Sequence, residues 1–267
     1  MPDLASLSFT SRGTGPAVLL LHGQPGGAGV WFRVQPALAG AGVRAIAVDR
    51  PGYGRTGGRA VGFARNARLA FELLDTLGVG AVTVVGHSWS GAVALAMALQ
   101  QPERVRGLVL QGSIGGERSV SVADRILAAP VLGPLAFSAG LRAVAFGLPR
   151  ERIRRRIAPE FDGLSYDRLE TIAAAWSNAR TARSVAHEQR SMIAELPVIE
   201  AQLARVQSPV VVLVGRQDKR VPPASQRSLA ERLPNAELVE VDGGHLLAAE
   251  APETIADAVT RVHHRAG

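Results

Sequence analysis

VTVVGHSWSGAVALAMAL, residues 82–99, decides how the chain is read. Val82 to Val85 is an apolar, β-branched run of the kind that makes a buried strand. Gly86-His87-Ser88-Trp89-Ser90-Gly91 breaks it, and an Ala/Leu-rich helical pattern follows. Small polar residues make many strand-to-helix turns for purely conformational reasons. The alternative is that Ser88 is a nucleophile presented on a tight elbow between strand and helix. The surroundings of this stretch discriminate between the two.

Outward from it, short apolar runs recur, each ending in turn residues. Ala17 to Leu21 runs into HGQPGG and Val43 to Val48 into DRPGYGRTGG. Gly107 to Leu110 runs into QGSIGG, Pro209 to Val214 into GRQDKRVPP, and Glu237 to Val241 into DGGHLL. Continuous Val/Leu/Ile runs mark strands buried on both faces. Helical patterns at 31–40, 64–78, 91–101, 224–233 and 251–265 separate them. Strands alternating with helices predict an α/β fold, a mostly parallel central sheet with helices on both faces. Leu7 to Thr10 is expected as an antiparallel edge strand. From about 114 to 200 no comparable β run occurs, and the patterns are helical with Gly and Pro breaks. The expected organisation is a core of residues 1–113 and 201–267 carrying a helical cap at 114–200.

Composition narrows the function. The 267 residues are 47% hydrophobic and 20% charged, ordinary for a globular protein. The net charge of +7 comes mostly from arginines scattered along the chain, so no nucleic-acid partner is expected. The densest basic cluster, PRERIRRRI at 149–157 with Arg150 to Arg156, reads as a solvated helix face. With no cysteine, disulfides, thiol catalysis and Cys-ligated metals are excluded. No uncharged run reaches the ~18 residues of a membrane span. The opening MPDLASLSFTSRGTG lacks the design of a signal peptide, so a cytoplasmic monomer or homodimer is expected.

In an open parallel sheet ligands bind at the carboxyl ends of the strands. There the reactive side chains collect: Ser88 after one strand, Asp218 after another, His245 after the last. A serine hydroxyl needs an imidazole to take its proton and a carboxylate to orient that imidazole. The order Ser, Asp, His, each at a strand end, is the order of the α/β-hydrolase elbow. The sequence resembles an α/β-hydrolase-fold serine hydrolase over nearly its whole length. The marks are HGQPG (22–26), DRPGYGRT (49–56), GHSWSG (86–91), GRQDKRVPP (215–223) and GGHLLAAEAPE (243–253). The resemblance implies Ser88 as nucleophile, Asp218 as acid and His245 as base. The elbow departs from G-x-S-x-G, with Ser90 where the second glycine usually lies. Only Ser88 has the elbow register after Gly86. An oxyanion needs two preorganised donors. One is expected to be the backbone N–H of Trp89. By resemblance to an HG-x-P pattern the other is the N–H of Gln24. The Gln24 side chain is equally readable as facing the pocket or capping its turn.

The other polar candidates are read as secondary. His22 and His87 are expected to be structural, and Asp49 and Asp242 to make turns. His263 and His264 are expected to be solvated. His187 is a minor candidate for substrate contact. Some related enzymes carry the acid after an earlier strand, but that loop here reads Gln111-Gly112-Ser113, and its nearest acid is Glu117. No metal-ligand spacing, GxGxxG or Walker loop occurs, so neither metal nor cofactor is expected.

The expected reaction is acyl transfer to water from a small-molecule carboxylic ester, through an acyl-enzyme on Ser88. The segment 126–149, with Phe137 and Phe146, suggests an apolar substrate group or simply packs the cap. Epoxide hydrolases and haloalkane dehalogenases of this fold use aspartate at the Ser88 position, and the former usually carry two cap tyrosines where this chain has Tyr166. A C–C bond hydrolase, a lactonase or a perhydrolase would use the same triad. A proline-iminopeptidase-like enzyme would add a cap carboxylate for a substrate amine, Glu170 or Glu188. The non-enzyme alternative is a small-molecule-binding, receptor-like module.

Overall fold

The computed structural model describes residues 7–116, 119–147, 150–157 and 165–266. Seven strands form one sheet: β1 (Phe9–Arg12), β2 (Ala17–Leu21), β3 (Arg44–Val48), β4 (Val82–His87), β5 (Val105–Gln111), β6 (Val210–Gly215) and β7 (Ala236–Val241). Their spatial order is β1-β3-β2-β4-β5-β6-β7. Only β1 is antiparallel, pairing Phe9 with Val48, and the other pairings are parallel. The first strand lies two residues later than its pattern predicts. Its end is set by Gly13, whose φ of 82° starts the turn into β2.

Side chains alternate faces along a strand, and the core divides accordingly. Leu19, Ile46, Val84, Leu108 and Val212 pack on one face beneath α2 (Phe63–Thr76), α3 (Trp89–Gln100) and α9 (Pro223–Arg232). Leu20, Ala47, Val85, Val109 and Val211 pack on the other beneath α1 (Val34–Gly40) and α11 (Pro252–Ala266). The centre of the sheet is thus apolar on both sides, which accounts for the unbroken Val/Leu runs.

Between β5 and β6 the chain passes through α4 (Val122–Ala128), α5 (Leu132–Gly147), α6 (Glu151–Ile157), α7 (Tyr166–Trp176) and α8 (Ala179–Glu200). The last of these is bound to the core, since Met192, Leu196 and Ile199 join the cluster formed with α2 and α3. A smaller cluster centres on Leu169, with Val144, Trp176 and Leu246. The outward side of α4 and α5 exposes Val122, Ile126, Leu132, Leu135 and Phe146. Phe146 is exposed there, with Arg150 stacked on its ring. Arg150, Arg152 and Arg155 are exposed, and Arg155 pairs with Glu151 one turn away.

Among the described residues no single helix is long and apolar enough to cross a membrane. Val122–Ala128 and Leu132–Val144 would suffice only together, and they meet at a bend of 115°. A short helix, α10 (Leu247–Glu250), follows β7 and precedes α11.

Candidate active site

The elbow is built by close approach. Ser88 sits between β4 and α3 with φ 56° and ψ −121°, a conformation that side-chain-bearing residues rarely adopt. It is the single described non-glycine residue with positive φ. A Cβ on Gly86 would lie 2.7 Å from the Ser90 carbonyl oxygen and 2.9 Å from the Gly91 Cα. One on Gly91 would collide with the Ser113 side chain. Ser90 is fully buried and donates its hydroxyl proton to the His22 carbonyl at 2.5 Å. That bond occupies the hydroxyl and explains why serine serves where a second glycine is usual.

Three of the residues singled out from the sequence converge. His245 Nε2 lies 3.0 Å from Ser88 Oγ, and His245 Nδ1 lies 2.9 Å from Asp218 Oδ2. The ring can donate from Nδ1 to the carboxylate and accept from the hydroxyl at Nε2. Asp218 lies in the loop between β6 and α9, where its Oδ1 accepts from the N–H groups of Arg220 at 2.8 Å and Val221 at 3.0 Å. Its Oδ2 also accepts from Gln226 Nε2 at 3.0 Å. Burial pushes this carboxyl up, but the bond and charge of His245 and the two backbone donors outweigh it. Asp218 is held below the usual carboxylate range.

The backbone of His245 is fixed from behind, its carbonyl accepting from His87 Nε2 at 3.0 Å and Gln111 Nε2 at 2.7 Å. Burial, and then the nearby His245, push His87 down to about 3, so it is a neutral donor. The loop after β5 leaves no room for a carboxylate. A Cβ on Gly112, whose φ is 55°, would lie 3.0 Å from His245 Nδ1. Glu117 lies outside the described residues.

Gln24 follows Gly23 in the loop after β2. A Cβ on Gly23 would lie 2.8 Å from His87 Nδ1 and 2.9 Å from the Ser88 Cβ, so this loop touches the serine directly. Among the described residues neither the Gln24 nor the Trp89 N–H has a hydrogen-bond acceptor. Gly23→Ala should therefore push the loop off Ser88 and cost roughly 100-fold in turnover, the scale of a 1 Å misplacement. Steady-state kinetics with a melting curve check this, and wild-type turnover would show that the loop yields freely.

Several secondary readings change. The Gln24 side chain neither caps its turn nor stands free. It donates to Glu188 Oε2 at 2.9 Å and to the Val185 carbonyl at 3.2 Å, and accepts from Gln189 Nε2 at 2.8 Å. Glu188 is fully buried and paired with Arg50, and it accepts from Tyr53 Oη at 2.6 Å. It is thus not available for a substrate amine. His187 and Glu170 are exposed. His263 is half-buried and lies 2.9 Å from Thr83 Oγ1 instead of being solvated, while His264 is exposed. Asp49 binds the N–H groups of Ala28 and Arg55, and Asp242 pairs with Arg216 on the surface. Among the described residues no group of three His, Asp or Glu could hold a metal ion. The sequence reading missed Arg50, Gln111 and Gln226. Gln226 carried a faint signal in its place one helical turn into α9, just past the Asp218 loop.

The family model for the alpha/beta hydrolase fold matches residues 16–252. The chain belongs to that family. Within it, the chain is 31% identical to a 2-hydroxy-6-oxononadienedioate/2-hydroxy-6-oxononatrienedioate hydrolase of Burkholderia vietnamiensis, over 86% of this chain and 81% of the relative. It is likewise 31% identical to the magnesium-chelatase 30 kDa subunit of Rhodobacter capsulatus, over 89% of this chain and 83% of that one. Among solved structures, a thermophilic esterase from Thermogutta terrifontis is similar with a TM-score of 0.74 and 26% identity, covering 97% of this chain and 93% of the other. This α/β hydrolase therefore keeps the family's sheet and places its serine at the strand-to-helix turn of that sheet.

Proposed function

We propose that this chain is a serine hydrolase acting on a small oxo acid, and that it breaks a carbon–carbon bond beside a ketone. The observation that carries the reaction type is the hydrogen-bonded line from Ser88 Oγ through His245 to Asp218. The substrate class is supported by the Burkholderia relative, because the oxo dioate in its name holds no ester or amide to hydrolyse. The expectation of a small ester gives way to the C–C alternative on that ground.

In the proposed cycle Ser88 Oγ attacks the ketone carbon while its proton passes to His245 Nε2. Asp218 steadies the imidazolium. The oxyanion is received by the N–H groups of Gln24 and Trp89. The carbon–carbon bond breaks, the departing carbon takes the proton from His245, and an acyl group remains on Ser88. Water, deprotonated by His245, then releases a carboxylic acid. Residues 114–200 are proposed as the cap that selects substrate. Trp176 and Leu169 pack with Leu246, the neighbour of His245, and supply an apolar border to the site.

Carboxylic ester hydrolysis is the second reading, favoured by the likeness to the Thermogutta esterase. Parallel assays of 2-hydroxy-6-oxo-dienoates and of p-nitrophenyl esters from acetate to decanoate separate the two. The C–C reading predicts kcat/KM at least roughly tenfold higher on the oxo acids. The reverse order would establish the esterase reading. Turnover of neither would favour a binding role.

A further inference from the structure

Arg50 and Glu188 lie 138 positions apart and form a fully buried ion pair between the loop after β3 and helix α8. A buried pair is a poor stabiliser, because desolvation offsets the attraction. Its surroundings suggest a different use. Arg50 Nε donates to the His22 carbonyl at 3.0 Å, and Nη2 donates to the Gly23 carbonyl at 3.2 Å. His22 Nδ1 lies 2.8 Å from that same Gly23 oxygen, while His22 Nε2 accepts from the Arg50 N–H at 3.1 Å. The His22 ring is thereby fixed as a donor at Nδ1.

The Gly23 carbonyl and the Gln24 N–H belong to one peptide unit. In a trans peptide these groups point in opposite directions. Two donors that hold the carbonyl therefore aim the N–H. A cationic donor on the oxygen also polarises the unit, which makes its N–H a stronger donor.

Glu188 touches the second oxyanion residue as well. Its carboxylate accepts from the Gln24 side chain at 2.9 Å, and its backbone carbonyl accepts from Trp89 Nε1 at 3.3 Å. The Arg50 guanidinium stacks 4.5 Å from the Trp89 ring and 5.0 Å from the Tyr53 ring. Both residues assigned to the oxyanion thus hang from one residue of α8.

We infer that Arg50 and Glu188 are positioning residues, by which helix α8 aims and polarises the Gln24 N–H and fixes Trp89 beside it. The inference rests on the reading of Gln24 and Trp89 as oxyanion donors. Neither Arg50 nor Glu188 touches substrate. Their effect is confined to steps in which negative charge develops on the carbonyl oxygen.

The test uses Arg50→Lys, which keeps the charge but replaces the rigid guanidinium fork with a single nitrogen, together with Gln24→Ala, whose lost side chain is only half-buried. Each is assayed on the best substrate and titrated with an alkyl trifluoromethyl ketone. That probe bonds its carbonyl carbon to Ser88 Oγ, sends the serine proton to His245 and leaves an oxyanion. The expected result for Arg50→Lys is a fall in kcat of roughly ten- to hundred-fold, with KM nearly unchanged. The inhibition constant should rise by the same factor. Gln24→Ala should show the same coupled change at smaller size. A purely structural role lowers the folded fraction and hence kcat, but leaves the inhibition constant alone. Wild-type values in either folded variant, or a fall in kcat without weaker inhibition, would overturn the inference. If the wild-type protein forms no adduct on Ser88, the oxyanion reading fails and takes the inference with it. An adduct on Ser88 with unchanged inhibition constants defeats the inference alone.

Discussion

Ser88→Ala should lower turnover by roughly 10⁴- to 10⁶-fold, the range seen when a serine nucleophile is removed from a hydrogen-bonded triad. The residual rate would come from binding and the oxyanion donors alone. Folding should survive, because the hydroxyl touches only His245 among the described residues. A companion variant, Ser88→Gly, should be equally inactive but more stable than Ser88→Ala. At φ 56° and ψ −121° a residue with a Cβ is strained by about 1–3 kcal/mol, and glycine is free of that strain. For a domain of this size such relief corresponds to a rise in Tm of a few degrees, about 2–4 °C per kcal/mol. Equal melting points would mean that the elbow is not under strain. Retained turnover in Ser88→Ala with an inactive Ser90→Ala would move the nucleophile, against the buried bond from Ser90 to the His22 carbonyl.

Asp218→Asn should cost roughly 10⁴-fold in kcat, the scale found when the acid of a serine triad is made neutral. An amide beside His245 Nδ1 can donate where the carboxylate accepts, which favours the wrong tautomer of the ring. The two loop N–H groups would still hold the remaining oxygen in place, so geometry and KM should change little. The substitution also has a pH signature. The folded-state carboxyl is held below its unfolded value, so its contribution to stability is complete above the ordinary carboxylate range near pH ~4. It is lost as pH falls through the lowered folded value. The Tm gap between wild type and Asp218→Asn should be constant near neutrality and narrow in acid. A gap that widens in acid, or a kcat within tenfold of wild type, would assign the acid elsewhere.

The sheet was legible because its central strands are buried on both faces, and such burial writes continuous Val/Leu runs into the sequence. The elbow was legible for a related reason. Gly86 and Gly91 sit where no Cβ fits, so the close approach leaves a mark at fixed spacing. The convergence of Ser88, Asp218 and His245 followed from the rule that loops at one end of a parallel sheet meet. Burial of Glu188 against Arg50 had no such local mark. A glutamate on a helix with Arg183 and Arg190 nearby in sequence is readable as a partner for a substrate amine, because its true partner is 138 positions away. His263 was misread for the same reason. Its place near the end of the chain suggests solvent, yet α11 folds back over β5 and sets it beside Thr83.

The central claim is that Ser88, activated by His245 and Asp218, forms a covalent intermediate. Intact-mass spectrometry after reaction with a fluorophosphonate, followed by peptide mapping, tests it most directly. The account predicts one adduct, on the peptide carrying Ser88, absent in Ser88→Ala and formed far more slowly in Asp218→Asn. An unmodified wild-type protein, or an adduct that persists in Ser88→Ala, would contradict it.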